Sequence, residues 1–196
     1  MTRHTTVTIL LVLGFGLIDC NNKSEQPKPP QELQELARAH GAATPNSVAG
    51  VAWSLPRRWV VSPPRQMRVA TYAVPAVEGG AEPAECGVFY FGNDQGGSVD
   101  ANIDRWVKQF ETNNTPVRAS RVVGGLNVEL VQVAGTYLAP GGPMMQSLGK
   151  KENFKLLGAI VKAPEGSVFF KLIGPANTVA SVEGDFNALI SSLKKD

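Results

Sequence analysis

The sequence predicts an α/β chain of the α+β type, an antiparallel β-sheet with helices packed on its faces. Three observations predict it. The elements run β-β-β-α-β-β-β-α, several of the connections between neighbouring strands are of hairpin length, and each helical segment carries a single apolar stripe that must be buried against something. From about Gly50 to the end the chain has the length of one domain with one core.

Taken in order, Gly50–Leu55 (GVAWSL) is a short apolar strand that Pro56 must stop or place at an edge. Met67–Val74 (MRVATYAV) sets Arg68, Ala70, Tyr72 and Val74 on one face against Met67, Val69, Thr71 and Ala73 on the other, as a strand does. Glu85–Phe91 (ECGVFYF) is the third strand, and the Gly92–Gly97 run after it is a loop. Ser98 then caps a helix that reaches Glu111, with Val99, Ile103, Trp106, Val107 and Phe110 on its buried stripe. Strands follow at Leu126–Val133, Phe154–Lys162 and Ser167–Ile173. Ala163-Pro164-Glu165-Gly166 is a tight turn that makes the last pair an antiparallel hairpin. The closing helix starts after Gly174-Pro175 and carries the stripe Val179, Val182, Phe186, Leu189, Ile190, Leu193; Gly184 interrupts it, and Lys194 and Lys195 complement its C-terminal dipole.

This order, with the ending Phe169-Phe170-Lys171-Leu172-Ile173-Gly174-Pro175 and an amphipathic helix, resembles the PsbP/Mog1-like α/β/α sandwich. The chain also resembles a group of bacterial exported lipoproteins that carry an "MRxATY" strand and a "GG…N…RW" loop and helix. Here these are Met67–Tyr72 and the segment from Gly96 through Asn102, Arg105 and Trp106 to Gln109. The resemblance covers Val51 to Leu193. It implies a three-layer fold and a binding role, because members of that fold serve as photosystem assembly subunits and as a GTPase-binding protein, without a shared chemistry.

The N-terminus reads as an address. Arg3 supplies a basic start and Val7–Ile18 an apolar run too short to span a bilayer. Leu17-Ile18-Asp19-Cys20 resembles a bacterial lipobox, although Asp19 stands where Gly, Ala or Ser is usual. Residues 1–19 are therefore expected to be a lipoprotein signal peptide, with Cys20 the lipidated residue. An ordinary cleaved signal and an uncleaved anchor are the alternatives. Residues 20–49, rich in Pro, Asn, Gln, Lys and Glu, are expected to be a flexible tether in which 31–39 can form a short helix, leaving 50–196 as the folded domain. A net charge of +2 argues against nucleic acid as a partner.

Little in the domain suggests catalysis. The two histidines, His4 and His40, lie before it, so it has no imidazole base and no His metal ligand. The Asp94, Asp100 and Asp104 group does not match a calcium loop, Gly92, Gly96 and Gly97 do not match a phosphate loop, and Met144 and Met145 have no His or Cys beside them. No metal and no cofactor are expected. Cys86, heading an apolar run, reads as a small buried hydrophobe.

Two clusters remain. Trp53, Arg57, Arg58, Trp59, Arg65 and Arg68 form a candidate binding surface, since guanidinium stacks on indole and forks onto carboxylate or phosphate. The competing reading has the tryptophans pinning the loop to the core while the arginines are solvated. Asn102, Arg105 and Gln109, beside Trp106, form a candidate structural or ligand face, with Asn102 and Arg105 donating to loop carbonyls in the structural version. The expected function is a membrane-anchored lipoprotein of the bacterial envelope, periplasm-facing or on the outer membrane. Its domain is expected to bind an envelope protein partner. A small-ligand pocket at the open end of the sheet, lined by Tyr72, Tyr90 and Tyr137, is the alternative, and a hydrolase comes third. Oligomeric state is not legible.

Overall fold

The computed structural model describes residues 46–76, 82–139 and 149–196. These all belong to one compact unit spanning Gly41–Asp196. The expected signal, Cys20, the 31–39 helix, most of the tether and the Met144-Met145 loop lie outside the described residues.

The strands are β1 (Ser47–Val48), β2 (Val51–Ala52), β3 (Val60–Val61), β4 (Ala70–Val74), β5 (Ala84–Tyr90), β6 (Phe110–Glu111), β7 (Val117–Val123), β8 (Leu126–Leu138), β9 (Lys150–Ala163), β10 (Gly166–Pro175) and β11 (Lys194–Lys195). The helices are α1 (Val99–Val107), α2 (Ala176–Ser181) and α3 (Glu183–Ser191). An eight-stranded sheet runs β3-β4-β5-β10-β9-β8, with β6 and β7 both paired to the outer edge of β8. Every pairing in it is antiparallel. A small second sheet joins β1, β2 and β11.

Strand β10 shows how the core divides. It lies inside the sheet between β5 and β9, buried on one face and partly buried on the other, and its sequence VFFKLI is apolar at all but one position. Val168, Phe170 and Leu172 join the larger core, which α2, α3, Trp53 and Trp59 complete. Phe169 turns the other way, toward Ile103, Trp106, Val131, Val133, Leu156 and Ile160 under α1. The result is the expected three-layer arrangement, a sheet with helices on both faces.

Several elements differ from the sequence expectation. The helix from Ser98, whose side chain accepts from the Ala101 amide, ends at Val107 rather than Glu111. Phe110 and Glu111 instead pair with Tyr137 and Thr136, because an aromatic at a sheet edge buries its ring against the sheet as well as a helix would. Val117–Val123 is an additional strand. It pairs with β8 through a two-residue Gly124-Gly125 turn whose φ values, +55° and +76°, suit glycine. The closing helix is two helices, broken at Val182 (φ −113°, ψ 9°). There the Ser181 hydroxyl donates to the Thr178 carbonyl and competes with the helical ladder. Lys194 and Lys195 do not cap that helix. They extend as β11 beside β2, since Leu193 is the last side chain with a core to reach. The folded part also begins before Gly50: Ser47–Val48 pairs with Val51–Ala52 across a turn at Ala49-Gly50, both at positive φ. The strand at Met67 starts three residues later, at Ala70, because Met67 itself is left-handed (φ +64°).

Candidate functional site

The basic and aromatic cluster is dispersed by the fold. Trp53 and Trp59 are core residues, 4% and 3% exposed, and the Trp53 indole donates to the Tyr72 hydroxyl at 2.9 Å. Arg57 is exposed, and Arg58 reaches α3 to pair with Asp185 at 3.0 Å. Arg65 and Arg68 converge on one carboxylate, Glu85, at 2.9 and 2.6 Å, and Arg68 lies over the Phe89 ring at 5.4 Å. The tryptophans therefore pin the loop, both meeting Tyr72 in the core, while Arg65 and Arg68 meet at Glu85.

The three tyrosines are not brought together either. Tyr72 is fully buried in the larger core and Tyr90 donates to the Glu165 carbonyl. Tyr137 packs on the opposite face between Phe110 and Phe154. No pocket formed by all three exists among the described residues.

The second cluster does assemble. The Asn102 amide donates to the Gly96 and Ser98 carbonyls at 2.7 and 2.8 Å, which fixes the glycine loop onto α1. Arg105 donates to Asn102 Oδ1 at 2.9 Å. Trp106 is 7% exposed and sits in the smaller core, edge-on to Phe169. Gln109 accepts a 2.6 Å hydrogen bond from the Nζ of Lys171.

These residues rim a cleft of about 170 Å³. Phe89, Phe91, Trp106 and Phe169 form its apolar walls, and Asn102, Arg105, Gln109 and Lys171 its polar groups. It exists because α1 is short and is, among the described residues, the single helix on its face of a wide sheet, so the β5–β10 region beside it is left bare. Glycine shapes that region. A Cβ on Gly87, the cross-strand neighbour of Lys171, would stand 2.9 Å from the Phe89 ring and 3.4 Å from the Arg68 guanidinium, both of which fold over the gap.

Lys171 is the residue that the sequence reading passed over. It interrupts the apolar run VFFKLI in the middle of an interior strand, and a lone charge in such a run was the available signal. Burial, together with Arg68 and Arg105 nearby, pushes its ammonium down to about 8. Tyr137 faces it at 5.8 Å, and burial raises that phenol. Arg68 is engaged by Glu85, whereas among the described residues neither Lys171 nor Arg105 has a carboxylate partner. The arrangement is a small, aromatic-walled, net-positive cleft, suited to holding an anionic group. Among the described residues no three His, Cys, Asp or Glu side chains come together as a metal site would need.

No protein-family model and no curated protein matches the chain. Among solved structures it is similar to cyanobacterial PsbP (CyanoP) from Synechocystis sp. PCC 6803, at 12% identity and a TM-score of 0.46, over 80% of this chain and 98% of that one. The likeness is one of fold.

Proposed function

We propose that this is a binding domain, held at a membrane of the bacterial cell envelope through lipid on Cys20, which engages an envelope protein partner at the cleft beside α1 and performs no chemistry of its own. The observation that carries the reading is Lys171. An ammonium withdrawn from water without a carboxylate is a cost to the fold, and the Gln109 oxygen offsets it only in part. A partner's anion entering the cleft offsets the rest. The cleft is favoured over the Arg and Trp cluster at 53–68, whose tryptophans are interior, whose Arg58 pairs with Asp185 and whose Arg65 and Arg68 share Glu85.

The test is capture from solubilised envelope membranes with the Cys20→Ser form, comparing the parent with Arg105→Glu. Arg105 is exposed, so the fold tolerates the change. A cross-linked partner recovered by the parent and lost by Arg105→Glu supports the cleft. Equal recovery by both would overturn it.

A further inference from the structure

Resting on that reading, we infer that the cleft takes a carboxylate carried on a flat apolar body of about one ring. Lys171 and Arg105 bind the two oxygens, while Phe89, Trp106 and Phe169 enclose the body.

Size and polarity decide this chemistry. At about 170 Å³ the cleft is close to the roughly 150 Å³ known to admit a benzene ring. Beyond the polar groups of Asn102, Arg105, Gln109 and Lys171 its walls are aromatic, offering stacking and edge contacts but no further donors. That disfavours phosphate, whose extra charge and oxygens need additional donors. Two cations with spare N–H donors match the two oxygens of a carboxylate. Arg105 spends one donor on Asn102, and Lys171 spends one on Gln109, leaving the rest of each fork or ammonium for a ligand.

Protonation adds a second handle. The groups facing Lys171 are Arg68 from the loop before β4, Arg105 from α1 and Tyr137 from β8, with Glu85 of β5 on the far side of Arg68. With its ammonium pushed down to about 8 by burial and the two arginines, Lys171 titrates within reach of neutral pH. A bound carboxylate favours its charged form. Binding above about pH 8 therefore takes up protons, and affinity falls as pH rises further.

This chemistry has two sources, the C-terminal residue of a polypeptide or a free small acid. The experiment uses the Cys20→Ser chain and follows backbone and indole NMR shifts with phenylacetate, phenylacetamide, inorganic phosphate and N-acetyl-Gly-Phe bearing a free carboxylate. Phenylacetate is expected to bind at least about tenfold more tightly than phenylacetamide, a difference of about 1.4 kcal/mol. Lys171→Met is expected to lose that preference while folding at least as stably as the parent, since it removes a buried charge and keeps the stem. Should Lys171→Met fail to fold, Arg105→Gln, at an exposed position, serves the same purpose. A tighter peptide assigns the site to a polypeptide C-terminus, and equal affinity assigns it to a free acid; both support the inference. Equal binding of acid and amide, phosphate binding as tight as phenylacetate, or no binding of any probe would overturn it. The wider binding reading falls separately, on Arg105→Glu retaining the captured partner.

Discussion

The indole of Trp106 rests on the backbone of Gly158, in a slot that exists because residue 158 has no side chain. A Cβ there would stand 2.7 Å from Cε3 of Trp106 and 2.8 Å from Cγ1 of Val131. Gly158 lies in the interior of β9, where glycine costs stability for its own sake, so the slot is a packing requirement between sheet and helix. It also sets the height of α1 above the sheet, and with it the width of the cleft that α1 bounds.

Gly158→Ala is therefore expected to destabilise the domain by about 1–3 kcal/mol, as overpacking does. Trp106→Ala, which empties the slot, should cost about 3–5 kcal/mol. The pair in one chain should cost clearly less than the sum, because once the indole is gone the methyl group has nothing to displace. Urea unfolding of the four proteins measures the cycle, and additive losses would show that the indole and Gly158 do not constrain one another.

Lys171 makes a prediction about pH. Its folded value, about 8, lies below the ordinary 10.5, so between these values the unfolded chain binds more protons and stability rises with pH. Cys86, whose thiol burial pushes up, works in the opposite direction from about pH 9, and Tyr72, raised to about 12, does so from about pH 10. The clean window is pH 8 to 9. Over it, stability is expected to rise by about 1 kcal/mol in the parent and to stay flat in Lys171→Met. A parent as flat as the variant would place the ammonium in solvent.

Turn chemistry gives a sharper test at Gly124-Gly125. Both residues are left-handed, but a Cβ on Gly124 would crowd Lys194 Cα at 3.1 Å and the Leu193 carbonyl carbon at 3.3 Å, whereas one on Gly125 meets only the far end of Lys195 at 3.9 Å. Asn tolerates the conformation. Gly125→Asn should change stability by less than about 0.5 kcal/mol and Gly124→Asn by more than about 1 kcal/mol, read from thermal unfolding. Equal effects would mean that the C-terminal strand does not rest on the turn.

The helical parts of this fold were legible where one face is buried and the other is not, as at Ile103 and Trp106, and the hairpin at Pro164-Glu165 was legible from its turn residues. Strand β7 was not: most of its residues are exposed, so VRASRVV has no apolar alternation, and the Gly-Gly turn after it was its one signal. The candidate site was half legible. Asn102, Arg105, Trp106 and Gln109 share a helical face and its C-terminal turn, which spacing reveals. Lys171 joins them from a strand distant in sequence, and only the register of β10 against β5 brings it there. The Arg and Trp cluster is spread by the fold: Trp53 enters the larger core, Arg58 reaches Asp185 on α3, and Arg68 turns to Glu85 and Phe89.

That dispersal predicts a modest phenotype. Arg58–Asp185 and Arg65–Glu85 are surface pairs, with arginine side chains 62% and 54% exposed, so water competes for both. Changing Arg57, Arg58 and Arg65 together to Gln should cost no more than about 0.5 kcal/mol at each position. Co-sedimentation of the Cys20→Ser form with native membranes should be unaltered by the triple change at low and moderate salt. Weaker, flatter salt dependence in the triple variant would restore these arginines as a recognition patch.

The last prediction concerns the anchor. The apolar run Val7–Ile18 stops at Leu17-Ile18-Asp19-Cys20, and the segment Asn21–Ala49 after it is rich in Pro, Asn, Gln, Lys and Glu. One acyl chain binds marginally and reversibly, whereas the multiple chains of a processed lipoprotein hold stably. Cys20→Ser is therefore expected to release a soluble domain whose unfolding midpoint equals that of the lipidated form, since the two apolar clusters of the described residues need nothing before Val48. Fractionation with mass analysis of the new N-terminus checks both halves. A Cys20→Ser chain that stays with the membrane after the signal has been cut would show that something other than lipid holds it. Asp19→Gly makes the complementary case: if Asp19 slows processing, the small residue should speed maturation without changing where the mature protein resides, and an unaltered rate would show that the peptidase accepts aspartate at this position.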